Sequence, residues 1–373
     1  MSDPRIRVML VDDAAVIRGL VKRMVEPEAD IEVVASVANG ELAVNSLKRN
    51  PVDVIVLDIE MPVMDGLTAL PKLLEVDPNV KILMSSTLTL GNAEISMQAL
   101  KLGAADYIPK PTSAGEMGSA SDFRRELVDK IRSLGQTRAL TSPARRPSSP
   151  ASMGEQSVVK PVPKSLYPDG FNLRPITTKA RPDIIAIGSS TGGPKALFEV
   201  LRNIRADVKT PIIITQHMPP NFTAILANHI AQSADRPCQE AKDGDILTAG
   251  SIYVAPGGFH MIVESQGITK VLRTNQDPPE NFCRPAVDPM FRSVAGIYGN
   301  RALAVILTGM GNDGSKGGKV IVDAGGTVIA QDEATSVVWG MPGAAATAGI
   351  CSAVLPLDKM APYISDFLLK GAA

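Results

Sequence analysis

The stretch Asp183-Ile-Ile-Ala-Ile-Gly-Ser-Ser-Thr-Gly-Gly193 decides how the second half of this 373-residue chain is read. Residues 184–187 are a short apolar, β-branched run suited to a buried parallel strand, and 194–204 read as a helix with proline in its first turn. The turn between them is dense in glycine, so the chain can reverse sharply and hold the Ser190 hydroxyl at the carboxyl edge of a sheet, beside a helix N-terminus. Gly188-x-Ser190-x-Gly192 has the spacing of a nucleophile elbow, although the same turn could cradle a phosphate with its amides or be a tight connection with a capping serine. A dinucleotide site is disfavoured: G-x-G-x-x-G is absent, and the next strand, 212–215, ends in Gln216-His217 where an acid for a ribose would be needed.

The length predicts two domains. A net charge of −1 gives no general attraction to nucleic acid or to an anionic membrane. The N-terminal apolar run is broken by Arg7 and closed by Asp12 and Asp13, unlike a signal peptide, and no run approaches the ~18 apolar residues of a membrane span. Cys238, Cys283 and Cys351 are scattered and odd in number, which suits a reducing cytoplasm and core positions better than a disulfide framework.

In the first domain, strand-like runs at 7–11, 31–38, 52–57, 81–85 and 106–109 alternate with helical patterns at 14–25, 40–50, 66–75, 93–102 and 122–134. That alternation predicts a doubly wound parallel sheet whose site lies at the carboxyl edge. Asp12 and Asp13 end the first strand, Asp58 the third and Lys110 the fifth, while Ser86 follows the fourth. Three carboxylates at one edge repel one another, and a hard cation such as Mg²⁺ would relieve that repulsion. Lys110 and Ser86 could then hold a phosphoryl group placed on Asp58.

With V-D-D at 11–13, L-D-I-E-M-P-V-M-D-G at 57–66 and Lys110-Pro111, residues 5–134 resemble the receiver domain of two-component response regulators. The resemblance implies a flavodoxin-like fold in which Asp58 accepts a phosphoryl group from a chemotaxis histidine kinase. It further implies that Asp12, Asp13 and Asp58 bind Mg²⁺, and that Ser86 and Tyr107 are the switch residues. Glu60 and Asp65 lie past the strand and are read as structural.

Residues 135–181 are rich in Pro, Ser and Arg, have few apolar residues and no period, and predict a flexible tether. Beyond it, strands at 184–187, 212–215, 252–254, 260–263, 269–272, 303–307 and 327–330 predict a mainly parallel, Rossmann-like sheet, with antiparallel hairpins over 251–273. Ser190, His217 and Asp313 each follow a strand at one edge, and a base oriented by a carboxylate is what a serine hydroxyl needs at neutral pH. Singly, His217 reads as well as a structural histidine and Asp313 as a turn residue.

Together with I-G-S-S-T-G-G (187–193), Q-H-M-P (216–219), Y-V-A-P-G (253–257), R-P-A-V-D (284–288) and L-T-G-M-G-N-D-G (307–314), residues 182–373 resemble the catalytic domain of the chemotaxis protein-glutamate methylesterases. The resemblance implies that Ser190 is the nucleophile, His217 the base and Asp313 its orienting acid. Thr191, Met310 and Gly311 would sit at the oxyanion and Arg284 along the cleft, with no cofactor in this domain. It implies hydrolysis of glutamate methyl esters, and deamidation of particular glutamines, on methyl-accepting chemotaxis receptors in the cytoplasm. It also implies that the unphosphorylated receiver restrains the esterase, with no nucleic-acid partner and no membrane insertion. The competing expectation is a non-catalytic docking or DNA-binding output domain. Ser189 stands beside the nucleophile, His260 and His229 read as packing, Arg284 and Asp288 line the cleft or pair with each other, and Trp339 reads as core.

Overall fold

The computed structural model describes residues 5–87, 89–110, 120–141, 170–176 and 180–370. Most of the expected tether, and Pro111 of the Lys-Pro motif, lie outside the described residues.

The N-terminal sheet is made of β1 (Ile6–Val11), β2 (Ile31–Val37), β3 (Val54–Asp58), β4 (Lys81–Ser86) and β5 (Asp106–Pro109), in the order β2-β1-β3-β4-β5. The registered pairs β1–β2, β1–β3 and β3–β4 are parallel. Helices α1 (Ala15–Val25), α2 (Gly40–Leu47), α3 (Gly66–Val76) and α4 (Leu90–Leu102) make the connections, and α5 (Ala120–Thr141) follows the last strand. This is the flavodoxin-like order, and strand direction of travel reverses between β1 and β3, so Asp12 and Asp58 flank the crevice that such a reversal opens. Every residue of β3 is buried, as a strand covered on both faces requires. At the start of α3, a Cβ on Gly66 would lie 2.0 Å from the Asp58 carbonyl oxygen, so only glycine lets the helix begin against the strand end.

Helix α5 runs to Thr141, past the expected boundary at residue 134. Its added turns are anchored: Arg138 is buried, with Nη2 2.6 Å from Asp77 Oδ2 and Nε 3.3 Å from Asp53 Oδ1. Composition alone made this stretch look solvated.

Among the described residues, the second sheet has seven strands in the order β14-β13-β12-β6-β7-β9-β8. They are β6 (Ile184–Ser189), β7 (Ile212–Gln216), β8 (Cys238–Glu240), β9 (Ile252–Val254), β12 (Ala302–Ile306), β13 (Thr327–Gln331) and β14 (Ala353–Leu355), and every registered pair is parallel. The pair β10 (His260–Gln266) and β11 (Thr269–Asn275) forms a separate antiparallel hairpin. The hairpin is thus narrower than expected, because β9 belongs to the parallel sheet. The edge strands β8 and β14 have three residues each, too few to show a period in the sequence. The central strands β6, β7, β12 and β13 are buried throughout, which matches their mainly apolar runs, with polar residues only at strand ends. Helices α6 (Gly193–Asn203), α7 (Phe222–Ala234), α8 (Val287–Tyr298), α9 (Ser315–Asp323), α10 (Gly340–Thr347) and α11 (Leu357–Lys370) complete the domain. No described helix is long and apolar enough to cross a membrane.

Candidate active site

Strand order places the site. β6 lies between β12 and β7, so the turn bearing Ser190 is flanked by the loop after β7, with His217, and the loop after β12, with Asp313. Parallel pairing sets their level: Ser189 is opposite Gln216, and the His217 amide donates to Ser189 O at 3.1 Å. Ser190 is held from the other side, its amide donating to Thr308 O at 3.1 Å. Gly192, with φ +76°, caps α6, and a Cβ there would come within 2.5 Å of Val337 Cβ. Proline at the first turn of α6 then starts the helix directly behind the serine.

Ser189 and Ser190 part company in space. Ser189 is wholly buried, its hydroxyl donating to Gln216 Oε1 at 2.7 Å, while Gln216 Nε2 donates to Ser190 O at 2.9 Å. Ser190 is half-buried. Gln216 therefore locks the first serine into the sheet and steadies the carbonyl of the second.

His217 Nε2 lies 2.7 Å from Asp313 Oδ2. Asp313 is 1 % exposed yet densely solvated by protein: Oδ2 accepts from the Val287 amide at 2.6 Å, and Oδ1 from the amides of Asp288 at 3.0 Å and Gly314 at 2.9 Å and from Asn281 Nδ2 at 2.9 Å. Two of these amides open α8, so the helix N-terminus stabilises the carboxylate. Burial works to raise its pKa, but His217 and the Val287 and Asp288 amides outweigh burial and hold the carboxyl below the ordinary aspartate value. Burial likewise opposes the imidazolium of His217, and the neighbouring Cys283 sulfur with the hydrogen bond and charge of Asp313 overcome it, leaving the histidine well above its ordinary value. The other ring nitrogen, Nδ1, is 3.4 Å from Cys283 Sγ.

The family model for the CheB methylesterase matches residues 185–364, and that for the response regulator receiver domain matches 8–121. A protein-glutamate methylesterase/protein-glutamine glutaminase 1 of Paramagnetospirillum magneticum is 60 % identical over 96 % of this chain and 95 % of its own length. The corresponding protein of the Rhodospirillum centenum group 2 operon is 55 % identical over 100 % of this chain and 96 % of its own. The chain belongs to the receiver-linked CheB methylesterases. The crystal structure of the Thermotoga maritima CheB methylesterase catalytic domain, 39 % identical, covers 50 % of this chain and 100 % of its own, with a TM-score of 0.49.

Within this CheB methylesterase the remaining expected residues fall as follows. Thr191 is buried, Met310 half-buried and Gly311 exposed, the last two in the loop leading to Asp313. Arg284 and Asp288 are not paired. Arg284 Nη1 donates to the carbonyls of Gln276 at 3.1 Å and Asp277 at 3.2 Å, whereas Asp288 Oδ1 accepts from the amides of Gly314 at 3.0 Å and Gly317 at 2.6 Å. Asn281 Nδ2 also reaches Asp288 Oδ2 at 3.2 Å, so one amide group bridges both acids. His260 is structural: Nδ1 accepts from the Ala286 amide, which leaves Nε2 to donate to Pro278 O at 3.2 Å. His229 is buried in α7, and Trp339 is buried with Nε1 donating to Gln331 O. Asn281 escaped sequence reasoning, and Cys283, expected in the core, is half-buried beside His217. The only signal for Asn281 in the sequence was proximity to R-P-A-V-D.

In the receiver sheet, oxygens of Asp12, Asp13 and Asp58 lie within 4.8 Å of one another. Asp12 Oδ1 accepts from the Ala14 amide and Asp58 Oδ1 from the Ile59 amide, both at 2.8 Å. All-carboxylate donors at this spacing fit a small hard cation. Ser86 is buried, with Oγ 3.1 Å from Ser96 Oγ; Tyr107 is buried, and the Lys110 amide donates to Ser86 O at 2.7 Å. Glu60 and Asp65 are exposed, and Asp65 Oδ1 caps α3 through the Thr68 amide.

Proposed function

We propose that the chain is a phosphorylation-controlled hydrolase that demethylates glutamate methyl esters, and deamidates particular glutamines, on methyl-accepting chemotaxis receptors in the cytoplasm. The observation that supports it most is the His217–Asp313 pair beside the Ser190 turn. Ser190 Oγ attacks the ester carbonyl while His217 takes its proton, and the same proton then leaves on the methanol. Water, deprotonated by His217, hydrolyses the acyl-enzyme and returns Ser190 and a free glutamate. Backbone amides at Thr191 and in the Met310-Gly311 loop are the donors proposed for the oxyanion. Arg284 borders the cleft in this reading.

In the receiver, Asp12, Asp13 and Asp58 would hold Mg²⁺, which would neutralise charge on the phosphoryl group; Asp58 accepts that group from a chemotaxis histidine kinase. Lys110, Ser86 and Tyr107 respond to it, the receiver domain ends with α5 at Thr141, and the catalytic domain begins at about 182. Methanol release from methylated receptor membranes tests the activity: wild-type protein releases it and Ser190→Ala does not. Equal release by both would overturn the reading.

A further inference from the structure

Two of the three thiols are inert by position. Cys351 is buried in the core and Cys238 half-buried in β8, and burial pushes both up to about 12. A thiol in that state offers almost no thiolate at neutral pH. Cys283 is placed differently. It is half-buried, and it is fixed by a two-way backbone bridge, its amide donating to Glu280 O at 2.9 Å and the Glu280 amide to Cys283 O at 3.2 Å. The bridge closes a turn in which Asn281 and Phe282 both have positive φ, 52° and 62°. Sγ is thereby held 3.4 Å from Nδ1 of an imidazole whose Nε2 is bound to the buried Asp313.

This is a thiol, an imidazole and a carboxylate in series. The carboxylate stabilises the imidazolium that forms when Nδ1 takes the thiol proton, which is how a cysteine is made nucleophilic. We propose that Cys283 is a modification site for small hydroperoxides, and that its oxidation disables the esterase by engaging the base. The second half rests on the proposed role of His217 toward Ser190. The sulfur, its proton on Nδ1, attacks one oxygen of hydrogen peroxide. An S–O bond forms, the O–O bond breaks, and the departing hydroxide takes the proton from Nδ1 and leaves as water. The sulfur loses two electrons and the peroxide gains them, giving the sulfenic acid. Its hydroxyl stays against Nδ1, the ring nitrogen not bound to Asp313 and, on the proposed mechanism, the one that would take the serine proton.

The test treats the full-length protein with hydrogen peroxide, traps sulfenic acid with a 1,3-dione, and reads each cysteine by peptide mass spectrometry while methanol release is followed in parallel. Cys283 should be trapped at least ~10-fold faster than Cys238 or Cys351. Activity should fall in step with that trapping and, in untrapped samples, return with dithiothreitol. Cys283→Ser, and Cys283→Ala as a second variant, should each keep its own starting rate under the same peroxide. Similar trapping at all three cysteines, inactivation of both variants at the wild-type rate, or full activity with Cys283 fully oxidised would each overturn the proposal. Trapping needs no turnover, so an untreated protein that released no methanol would sink the functional reading while the thiol site was still decided.

Discussion

His217 Nε2 and Asp313 Oδ2 meet at 2.7 Å although their loops leave strands that are not neighbours, β7 and β12, with β6 running between them. The pair therefore joins the two loops that lie on either side of the one carrying Ser190. The proposed arrangement, a serine after the middle strand with a histidine and an aspartate arriving from either side, follows from the order β12-β6-β7.

Ser190→Ala should lower methanol release by on the order of 10³-fold or more, because it removes the oxygen proposed to attack the ester. Ser189→Ala should retain the chemistry but lower stability by about 1–3 kcal/mol, since Gln216 Oε1 would be left buried without its donor. Thermal unfolding and a methanol assay on both variants separate the effects; activity lost with Ser189 and kept without Ser190 would refute the assignment.

The pH profile should be displaced to the alkaline side. An unperturbed imidazole titrates near ~6.5 and predicts a rise between about pH 6 and 8. Burial acts to lower His217, but Cys283 and Asp313 prevail and hold it well above 6.5. Since the free base is needed, the rise in kcat/KM should have its midpoint above 6.5. For stability, the fold favours the protonated form. Its contribution is complete below the ordinary value and is lost as pH rises through the raised one. A midpoint at or below 6.5, or a His217→Gln variant with wild-type activity, would contradict this.

Asp288→Ala should impair both fold and rate. It orphans the Gly317 amide, at about 1–3 kcal/mol, leaves the Gly314 amide only its bond to Asp313 Oδ1, and loosens the turn that carries Asp313. The expected signature is a lower Tm and a lower kcat with KM little changed, partly rescued by Asp288→Asn. An unchanged kcat would show that Asp313 needs no such support.

Asp58→Ala should abolish phosphoryl uptake from acetyl phosphate and weaken Mg²⁺ binding, because it removes one of three clustered carboxylates. On the full-length chain, phosphodonor should accelerate methanol release by wild type and leave Asp58→Ala at its basal rate. A variant that responds like wild type would remove Asp58 from control.

The chain's own pattern determined the two α/β sheets and most strand ends, because a strand buried on both faces must be an unbroken apolar run and is visible as one. Asp12, Asp58, Ser190, His217 and Asp313 were legible as polar residues closing such runs. What only the tertiary structure decided is which groups meet. Ser189 and Ser190 are adjacent in sequence, and the pleat plus Gln216 buries one and leaves the other half open. Asn281 bridges Asp313 from 32 residues away, and Cys283 reaches His217 across 66, distances over which no local period carries information. Helix α5 outlasted its expected boundary for the same reason: the acids that neutralise Arg138 are Asp53 and Asp77, supplied by distant parts of the chain. Periodicity records burial, which each residue feels locally, whereas hydrogen-bond and charge partners are set by strand order, which emerges only when the sheet is assembled.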